Sequence, residues 1–230
     1  MDYFLVAPDF LYFIFGVAVA LLILVEFGVL RHTGSRFAVN RRYILVLLLL
    51  SLFGSYVNIP LAQIPSHVYI TQHEYFFWGM KYIVPIVVNR PGTEIAVNVG
   101  GALIPILLSA YLLIKNKLYL LGLLGIIGVA VIVHLLASPV PGTGIAVPVF
   151  IPPVVTAAIA LLLSRPYAAP LAYICGSFGT LIGGDLLNLG RVPSLGTPVA
   201  SIGGAGTFDG IFITGLFAML IVSFLTRGRS

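Results

Sequence analysis

The sequence predicts an all-α polytopic membrane protein of about seven transmembrane helices, with the N-terminus outside and the C-terminus in the cytoplasm. Composition is the first reason. Hydrophobic residues make up 60% of the 230 residues and charged residues only 8%, whereas soluble domains carry about 25% charged residues. Mean hydropathy is +1.12. The second reason is that the apolar residues fall in runs close to the roughly 20 residues that cross a bilayer. We therefore expect one multi-pass transmembrane domain over residues 1–230, in the cell membrane, with the lipid bilayer as its solvent.

Seven apolar segments qualify as spans. They are Phe10–Leu30, Tyr43–Asn58, Val97–Ile114, Leu118–Leu136, Pro148–Leu163, Tyr167–Asn188 and Thr207–Leu225. The fifth segment is short and begins with three prolines in six residues, and proline interrupts a helix interior. A partial or re-entrant helix is therefore the alternative for this segment.

The orientation follows from the basic residues. Cytoplasmic loops carry the excess of Lys and Arg, and nine of the twelve basic residues fall on one side of the alternating spans. These nine are Arg31, Arg36, Arg41, Arg42, Lys115, Lys117, Arg165, Arg227 and Arg229. Only Lys81, Arg90 and Arg191 fall on the other side, which the sequence therefore places outside.

The long outer loop, Leu61–Ala96, contains the pattern of a β-hairpin. Ile83–Val88 and Glu94–Val97 flank Arg90-Pro91-Gly92-Thr93, and Pro followed by Gly suits the centre of a type II turn. Pro85 would keep its strand at a sheet edge, because it cannot donate a ladder hydrogen bond.

A short internal repeat links two parts of the chain. Val57–Pro65 and Val97–Pro105 are identical at five of nine positions, including Asn58 and Asn98. We expect two helices to bring these asparagines to the same region.

Five polar residues on five predicted helices form one layer near the outer boundary. Asn58, Asn98, His134, Asp185 and Asp209 each lie 16 to 20 residues from a cytoplasmic basic flank, which is about 24–30 Å along a helix. Polar groups in a bilayer are costly and often functional. For the asparagines and His134, helix capping or interhelical hydrogen bonds are the structural alternative.

Glycines surround both aspartates. Gly179–Gly183 is a Gly-x-x-x-Gly step just before Asp185, and Gly206–Gly210 is a second step that contains Asp209. Such steps let helix backbones approach closely. Two carboxylates held close together repel when both are ionised, so they share one proton. This is the arrangement of an acid–base pair that activates water, and it makes Asp185 and Asp209 the candidate catalytic residues.

The segment Ser201–Thr207 is too rich in glycine for a stable helix. Its backbone amides are expected to be free at the start of the last helix, where they favour an anion or a developing oxyanion. Together with the irregular turn Val140–Gly144, it predicts a water-accessible cavity near the outer face, because non-helical backbone at membrane depth lines cavities. The candidate supporting or substrate-binding residues are Asn58, Asn98, His134, Gly184, Asn188, Gly203, Gly204, Gly206, Thr207 and Phe208.

The sequence predicts no metal and no cofactor. His134, Asp185 and Asp209 include ligand types, but no His-x-x-x-His or Glu-x-x-His spacing occurs. The single cysteine, Cys175, excludes an intramolecular disulfide and is expected to be a small buried hydrophobe. The basic residues are spread along helix flanks rather than gathered on one face, so nucleic acid is not a predicted partner.

Four stretches carry a resemblance to a known family. The chain resembles the domain-of-unknown-function 1614 family, a prokaryotic family of uncharacterised membrane proteins, a membership that implies no activity. The matching stretches are Asn98–Pro105, Pro139–Pro148, Gly179–Leu186 and Ser201–Phe212.

A second resemblance is to membrane aspartyl proteases of the presenilin, signal-peptide-peptidase and prepilin-peptidase group. Their Gly-x-Gly-Asp motif is similar to Ile182-Gly183-Gly184-Asp185, with Ile182 in place of the first glycine. Phe208-Asp209 is similar to their Tyr-Asp element. The order of the two motifs is reversed relative to presenilin, and the Pro-Ala-Leu motif does not occur.

Three functions stay open at this stage. The first is a diaspartyl intramembrane protease in which Asp185 and Asp209 hydrolyse a membrane-embedded peptide. The alternative is a transporter or channel for a cation, proton or small solute that uses the same polar layer. The third is a non-catalytic membrane scaffold whose glycine steps serve packing alone. The sequence does not decide the oligomeric state.

Overall fold

The computed structural model describes residues 49–51, 53–65, 67–77, 80–90, 92–140, 144–204 and 210–226. The predicted span Phe10–Leu30 lies outside these residues, as do the first six residues of the second span and residues 205–209. The described part is mostly helical but also contains three small β-sheets. The all-α expectation is corrected in this respect.

Six α-helices are described in full. They are α1 (Ile104–Lys115), α2 (Tyr119–Leu136), α3 (Ile151–Leu163), α4 (Ala168–Thr180), α5 (Val192–Leu195) and α6 (Gly210–Thr226). Two of them are extended by other helical turns. A π-helical turn, Val99–Leu103, leads into α1, and α4 continues through the π-helical turn Leu181–Asp185 and the 3-10 turn Leu186–Arg191.

Five of the predicted spans coincide with these helices to within three residues. Two helices are long and apolar enough to cross a membrane, Tyr119–Leu136 and the continuous Ala168–Arg191, with mean hydropathies of 2.5 and 1.2. Helix α3 has 13 residues, or about 20 Å at ~1.5 Å per residue, which is shorter than a hydrocarbon core of about 30 Å. The second predicted span does not reach its expected end, because Asn58 begins a strand.

Helix α4 is the centre of the helical packing. It contacts α1, α2, α3 and α6, and eleven of its thirteen residues are buried, Cys175 among them. Glycines allow this close approach. A Cβ on Gly176 would lie 2.8 Å from the Cα of Gly215 in α6, and side chains on Gly179 or Gly183 would collide with α2. The Gly179–Gly183 step therefore packs against α2, and a different glycine pair joins α4 to the last helix.

The packed helices alternate in direction. Leu113 lies against Gly122 across the short turn between α1 and α2, and Gly125 and Gly128 of α2 meet progressively earlier residues of α3. Helices α4 and α6 are also antiparallel, because the start of α6 lies against the end of α4. The connections after α1 and α3 therefore share one end of the bundle with the C-terminal end of α6. The π-helical turns and strands lie at the opposite end.

The strands form three sheets. Strands β1 (Asn58–Ile64), β4 (Thr93–Asn98) and β7 (Val199–Ile202) make a three-stranded sheet in the order β1-β4-β7, antiparallel between β1 and β4 and parallel between β4 and β7. The two antiparallel pairs are β2 (His67–Phe77) with β3 (Met80–Arg90), and β5 (Ser138–Val140) with β6 (Gly144–Ala146).

The loop Leu61–Ala96 contains a β-hairpin, but the predicted pairing is wrong. Strand β3 pairs with β2, so the chain reverses between Phe77 and Met80 and not at Pro91-Gly92. Strand β4 is unavailable to β3, because β1 and β7 occupy its two edges. From Ala62 to Phe77 the register of the β1–β4 pair continues unchanged into the β2–β3 pair. The loop is therefore one long antiparallel ribbon that continues from the β1–β4 pair of the three-stranded sheet.

Candidate functional site

Asp185 lies where helix α4 changes its winding. The π-helical turn Leu181–Asp185 gives way to a 3-10 turn, and such changes leave backbone carbonyls without their α-helical donors. The buried side chain of Asn188 supplies the donors: its Nδ2 donates to the carbonyl oxygens of Gly183 and Gly184, both at 2.9 Å. Asn188 thus holds the backbone that presents Asp185.

The carboxyl group of Asp185 is positioned by a glycine from a distant strand. The N–H of Gly203 donates to its Oδ2 at 3.0 Å. Gly203 directly follows β7 with φ +88°, a conformation that favours glycine. A Cβ there would also lie 2.5 Å from the Cβ of Ala102. Both the backbone angle and the packing therefore require glycine at the contact with Asp185.

Two cavities adjoin at Asp185. The first, of about 220 Å³, is lined by Thr180, Gly184, Gly204, Gly210 and Thr214 among others. The second, of about 130 Å³, lies along β7 and the segment Leu189–Thr197. Asp185, Ile145 and Gly204 line both. Each is smaller than the roughly 300 Å³ of a typical small-molecule pocket, so neither encloses the space for a whole drug-sized molecule.

A buried hydroxyl without a partner borders each cavity. Thr180 in the first is 4% exposed and Thr197 in the second is 2% exposed. Within the described residues neither Oγ1 has a hydrogen-bond partner. Buried polar atoms nearly always find a partner in protein or water, so both positions are suited to bound water or to a polar ligand atom. Neither threonine was predicted from the sequence; the one available signal was that Thr180 lies inside the Gly179–Gly183 step.

The predicted meeting of Asn58 and Asn98 occurs, but on strands. The two residues pair across β1 and β4, and Asn98 Nδ2 donates to Asn58 Oδ1 at 3.0 Å and to the Ser55 carbonyl at 2.6 Å. Asn98 Oδ1 accepts from the Gly101 N–H at 2.7 Å, which caps the π-helical turn before α1. Ser201 Oγ adds a bond to Asn58 Oδ1 at 2.7 Å. This cluster ties β1, β4 and β7 together, and neither asparagine lines a cavity.

His134 also lies beside the site and not in it. Its Nδ1 is 3.3 Å from Asn188 Nδ2, at the end of α2, and it lines neither cavity. Since both amide hydrogens of Asn188 are used by the Gly183 and Gly184 carbonyls, His134 is a packing neighbour of this amide. Among the described residues no group of three or more His, Cys, Asp and Glu side chains is placed to hold a metal ion.

The expectation of free amides in the glycine-rich loop is corrected where the loop is described. The Gly203 N–H is bonded to Asp185, and the Gly204 N–H donates to the Ser201 carbonyl at 3.2 Å. Neither is free for an oxyanion. Gly206, Thr207, Phe208 and Asp209 lie outside the described residues. Gly210, the next residue along the chain, lines the first cavity together with Asp185.

Comparison with known proteins gives one match. The model of a family described as a protein of unknown function (DUF1614) matches residues 52–221, which confirms the resemblance seen in the sequence. No curated protein matches, and no solved structure matches. The likeness to the presenilin group therefore has no support beyond the short motifs.

Proposed function

Because the chain belongs to the DUF1614 family of proteins of unknown function, whose description assigns no activity, we propose a function from the site itself. The protein is a diaspartyl intramembrane protease in which Asp185 and Asp209 hydrolyse a peptide bond of a membrane-embedded substrate. It crosses the membrane seven times, with the two cavities near the outer face. The direction of the packed helices supports this orientation, because Lys115, Lys117 and Arg165 share one end of the bundle and Asp185 lies at the other.

The observation that carries the proposal is the setting of Asp185. Its carboxyl group stands at the junction of two cavities and accepts one backbone hydrogen bond through Oδ2. Its Oδ1 has no hydrogen-bond partner among the described residues and can bind water. A carboxyl that is fixed in place, bordered by water-sized space and kept at the end of an apolar helix has the geometry of a general acid or base.

The chemistry requires a second carboxyl on the opposite side of the water. In the proposed reaction one ionised carboxylate takes a proton from water as its oxygen bonds to the substrate carbonyl carbon. The other, protonated, carboxyl donates its proton to the carbonyl oxygen. The tetrahedral diol then collapses: the C–N bond breaks, the amine leaves with a proton from the first carboxyl, and one diol hydroxyl returns its proton to the second carboxylate, which leaves a carboxylic acid. Asp209 is proposed as the partner because Gly210, its neighbour in the chain, lines the first cavity.

The test is hydrolysis of a transmembrane-length peptide, fluorescent at one end and quenched at the other, by purified protein in liposomes. Asp185→Asn and Asp209→Asn should each abolish hydrolysis, a loss of at least about 10³-fold for an essential acid or base. Glu94→Gln is the matched control, since this carboxylate is on β4 and lines neither cavity. Retained hydrolysis in both Asp variants ends the proposal.

A second candidate is transport of a proton, cation or small solute. It is favoured by the break of α4 into π and 3-10 turns at Gly183 and Gly184. The hydroxyls of Thr180 and Thr197, which have no hydrogen-bond partner in the described part of the chain, also favour it. Transporter sites are commonly built at such discontinuous helices. The same liposomes, loaded with a pH-sensitive dye, test it under imposed proton and sodium gradients. A flux lost in Asp185→Asn, without hydrolysis in the wild type, would replace the first proposal by the second.

A further inference from the structure

Among the described strands, β7 lies at the edge of its sheet, and its outer backbone groups have no strand partner. The Glu94 N–H donates to the Pro198 carbonyl at 2.9 Å, and Glu94 is paired in parallel with Val199. In a parallel pair alternate residues of a strand bond to the neighbour, so Ala200 faces β4 and Val199 and Ser201 face away. No described strand pairs with that outer side. The Val199 N–H, the Val199 carbonyl and the Ser201 N–H point outward, whereas the Ser201 carbonyl accepts from Gly204.

The second cavity follows this free edge. All four residues of β7, Val199 to Ile202, line it. Successive side chains of a strand point to opposite faces, so a space that touches four consecutive residues runs along the edge of the strand. The same cavity contains Asp185 at one end and the unpartnered Thr197 hydroxyl at the other. Asp185 is joined to this strand through Gly203, the residue that follows it.

We propose that the outer edge of β7 binds an extended peptide segment by strand addition, and that this delivers the peptide backbone to Asp185. Val199 presents a donor and an acceptor together, and a single residue of an antiparallel strand completes both. The Ser201 N–H adds a donor two residues further on. Binding through the backbone gives affinity with little dependence on side chains. The ligand class is an unwound, extended polypeptide, not a helix and not a small solute.

This inference rests on the proposed function and deepens it. The strand-adding edge belongs to the three-stranded sheet beside Asp185. A substrate bound here would be recognised over the few residues next to the bond that is cut. It would have to lose its helical conformation before it binds.

The test measures binding apart from cleavage. Full-length Asp185→Asn protein in lipid nanodiscs is titrated against a fluorescein-labelled decapeptide of alternating Leu and Thr, with fluorescence anisotropy as the readout. Asn keeps an acceptor for the Gly203 N–H. Val199→Pro and Ser201→Pro each remove one outward N–H and leave the β4 ladder intact. We expect each to bind the peptide at least fivefold more weakly than the matched Val199→Ala or Ser201→Ala protein. Leu61→Pro, at the bulge on the far edge strand, should bind as its parent does.

A second measurement does not depend on folding of the proline variants. The decapeptide is N-methylated at its Leu residues or at its Thr residues, and each form is titrated against the parent protein. We expect one methylated set to bind at least fivefold more weakly than the other, because alternate N–H groups face β7. Equal binding of both sets, or no binding of the unmethylated peptide, overturns the inference.

The wild-type protein separates this inference from the proposed function. Peptide binding without hydrolysis by the wild type removes the protease proposal and leaves the strand-addition site. Hydrolysis that proceeds equally in the proline and alanine variants removes the strand-addition site and leaves the protease.

Discussion

At the scale of single residues, two variants of Asp185 test the effect of its charge and of its hydrogen bond to Gly203 separately. Asp185→Asn removes the negative charge but keeps an oxygen that can accept from Gly203. Asp185→Ala removes the acceptor and leaves the Gly203 N–H without a hydrogen-bond partner. An unsatisfied group costs about 1–3 kcal/mol, so Asp185→Ala should be less stable than Asp185→Asn by that amount. Unfolding in mixed micelles by titration with SDS measures the difference, and equal stabilities would show that the bond is not maintained in the membrane.

Asn188 permits a similar test with an isosteric change. Its amide nitrogen donates to two carbonyls, Gly183 and Gly184. Asn188→Asp keeps the shape but replaces this donor by an acceptor that faces two other acceptors. We expect a loss of more than about 2 kcal/mol in unfolding free energy, together with loss of activity because Asp185 follows this backbone. A variant as stable as the wild type would show that the two carbonyls find other donors.

At the scale of secondary-structure elements, close contact between α4 and α6 sets the position of the last helix. A Cβ on Gly176 would meet the backbone of Gly215 at 2.8 Å, whereas one on Gly128 would meet only the side-chain end of Ile159 at 3.5 Å. Gly176→Ala should therefore separate α6 from α4, lower the melting temperature and reduce activity. Gly128→Ala should be neutral or stabilising, by up to about 1 kcal/mol of helix propensity. Thermal unfolding followed by circular dichroism compares the two.

The elements also show what the sequence could and could not predict. Apolar runs gave five helices to within three residues, because length and hydropathy are local properties. The strands were predicted wrongly where their formation depends on a partner strand elsewhere in the chain. Thr93–Asn98 forms a strand through β1 and β7, and β7 lies about a hundred residues away in the chain, beyond the reach of any local pattern. The described part of the glycine-rich segment, residues 201–204, is not helical, as predicted, but its strand was not predicted, for the same reason.

The candidate site divides in the same way. Asp185 was proposed from its chemistry, since a carboxyl in an apolar segment is energetically costly and therefore noticeable in a sequence. The Gly203 N–H was expected to be free for an oxyanion, but it donates to Asp185. A sequence does not distinguish a free amide from one that is hydrogen-bonded. Thr180 and Thr197 were missed because a threonine in an apolar segment carries no signal until the cavity beside it is known.

At the scale of the whole molecule, the proposed orientation can be tested with cysteines. Cys175 is buried in α4, so a thiol introduced at the surface reacts alone. We expect Gly190→Cys, at the Asp185 end and with open space around it, to react with a membrane-impermeant maleimide on intact cells. Arg165→Cys, in the connection between α3 and α4, should react only after the cells are opened. The reverse pattern would invert the orientation and place the cavities on the cytoplasmic side.

The parallel pairing of β4 with β7 has a consequence for biogenesis. Glu94 and Val199 are partners in this sheet, and contacts between distant parts of a chain form late, because the loop between them must close first. While the protein is being synthesised, β4 has only β1 beside it until the ribosome has added the final strand. Gly203 reaches Asp185 in the same event. The backbone donor of Asp185 is therefore supplied late, so a nascent or truncated chain that ends before Val199 would contain Asp185 without this hydrogen bond.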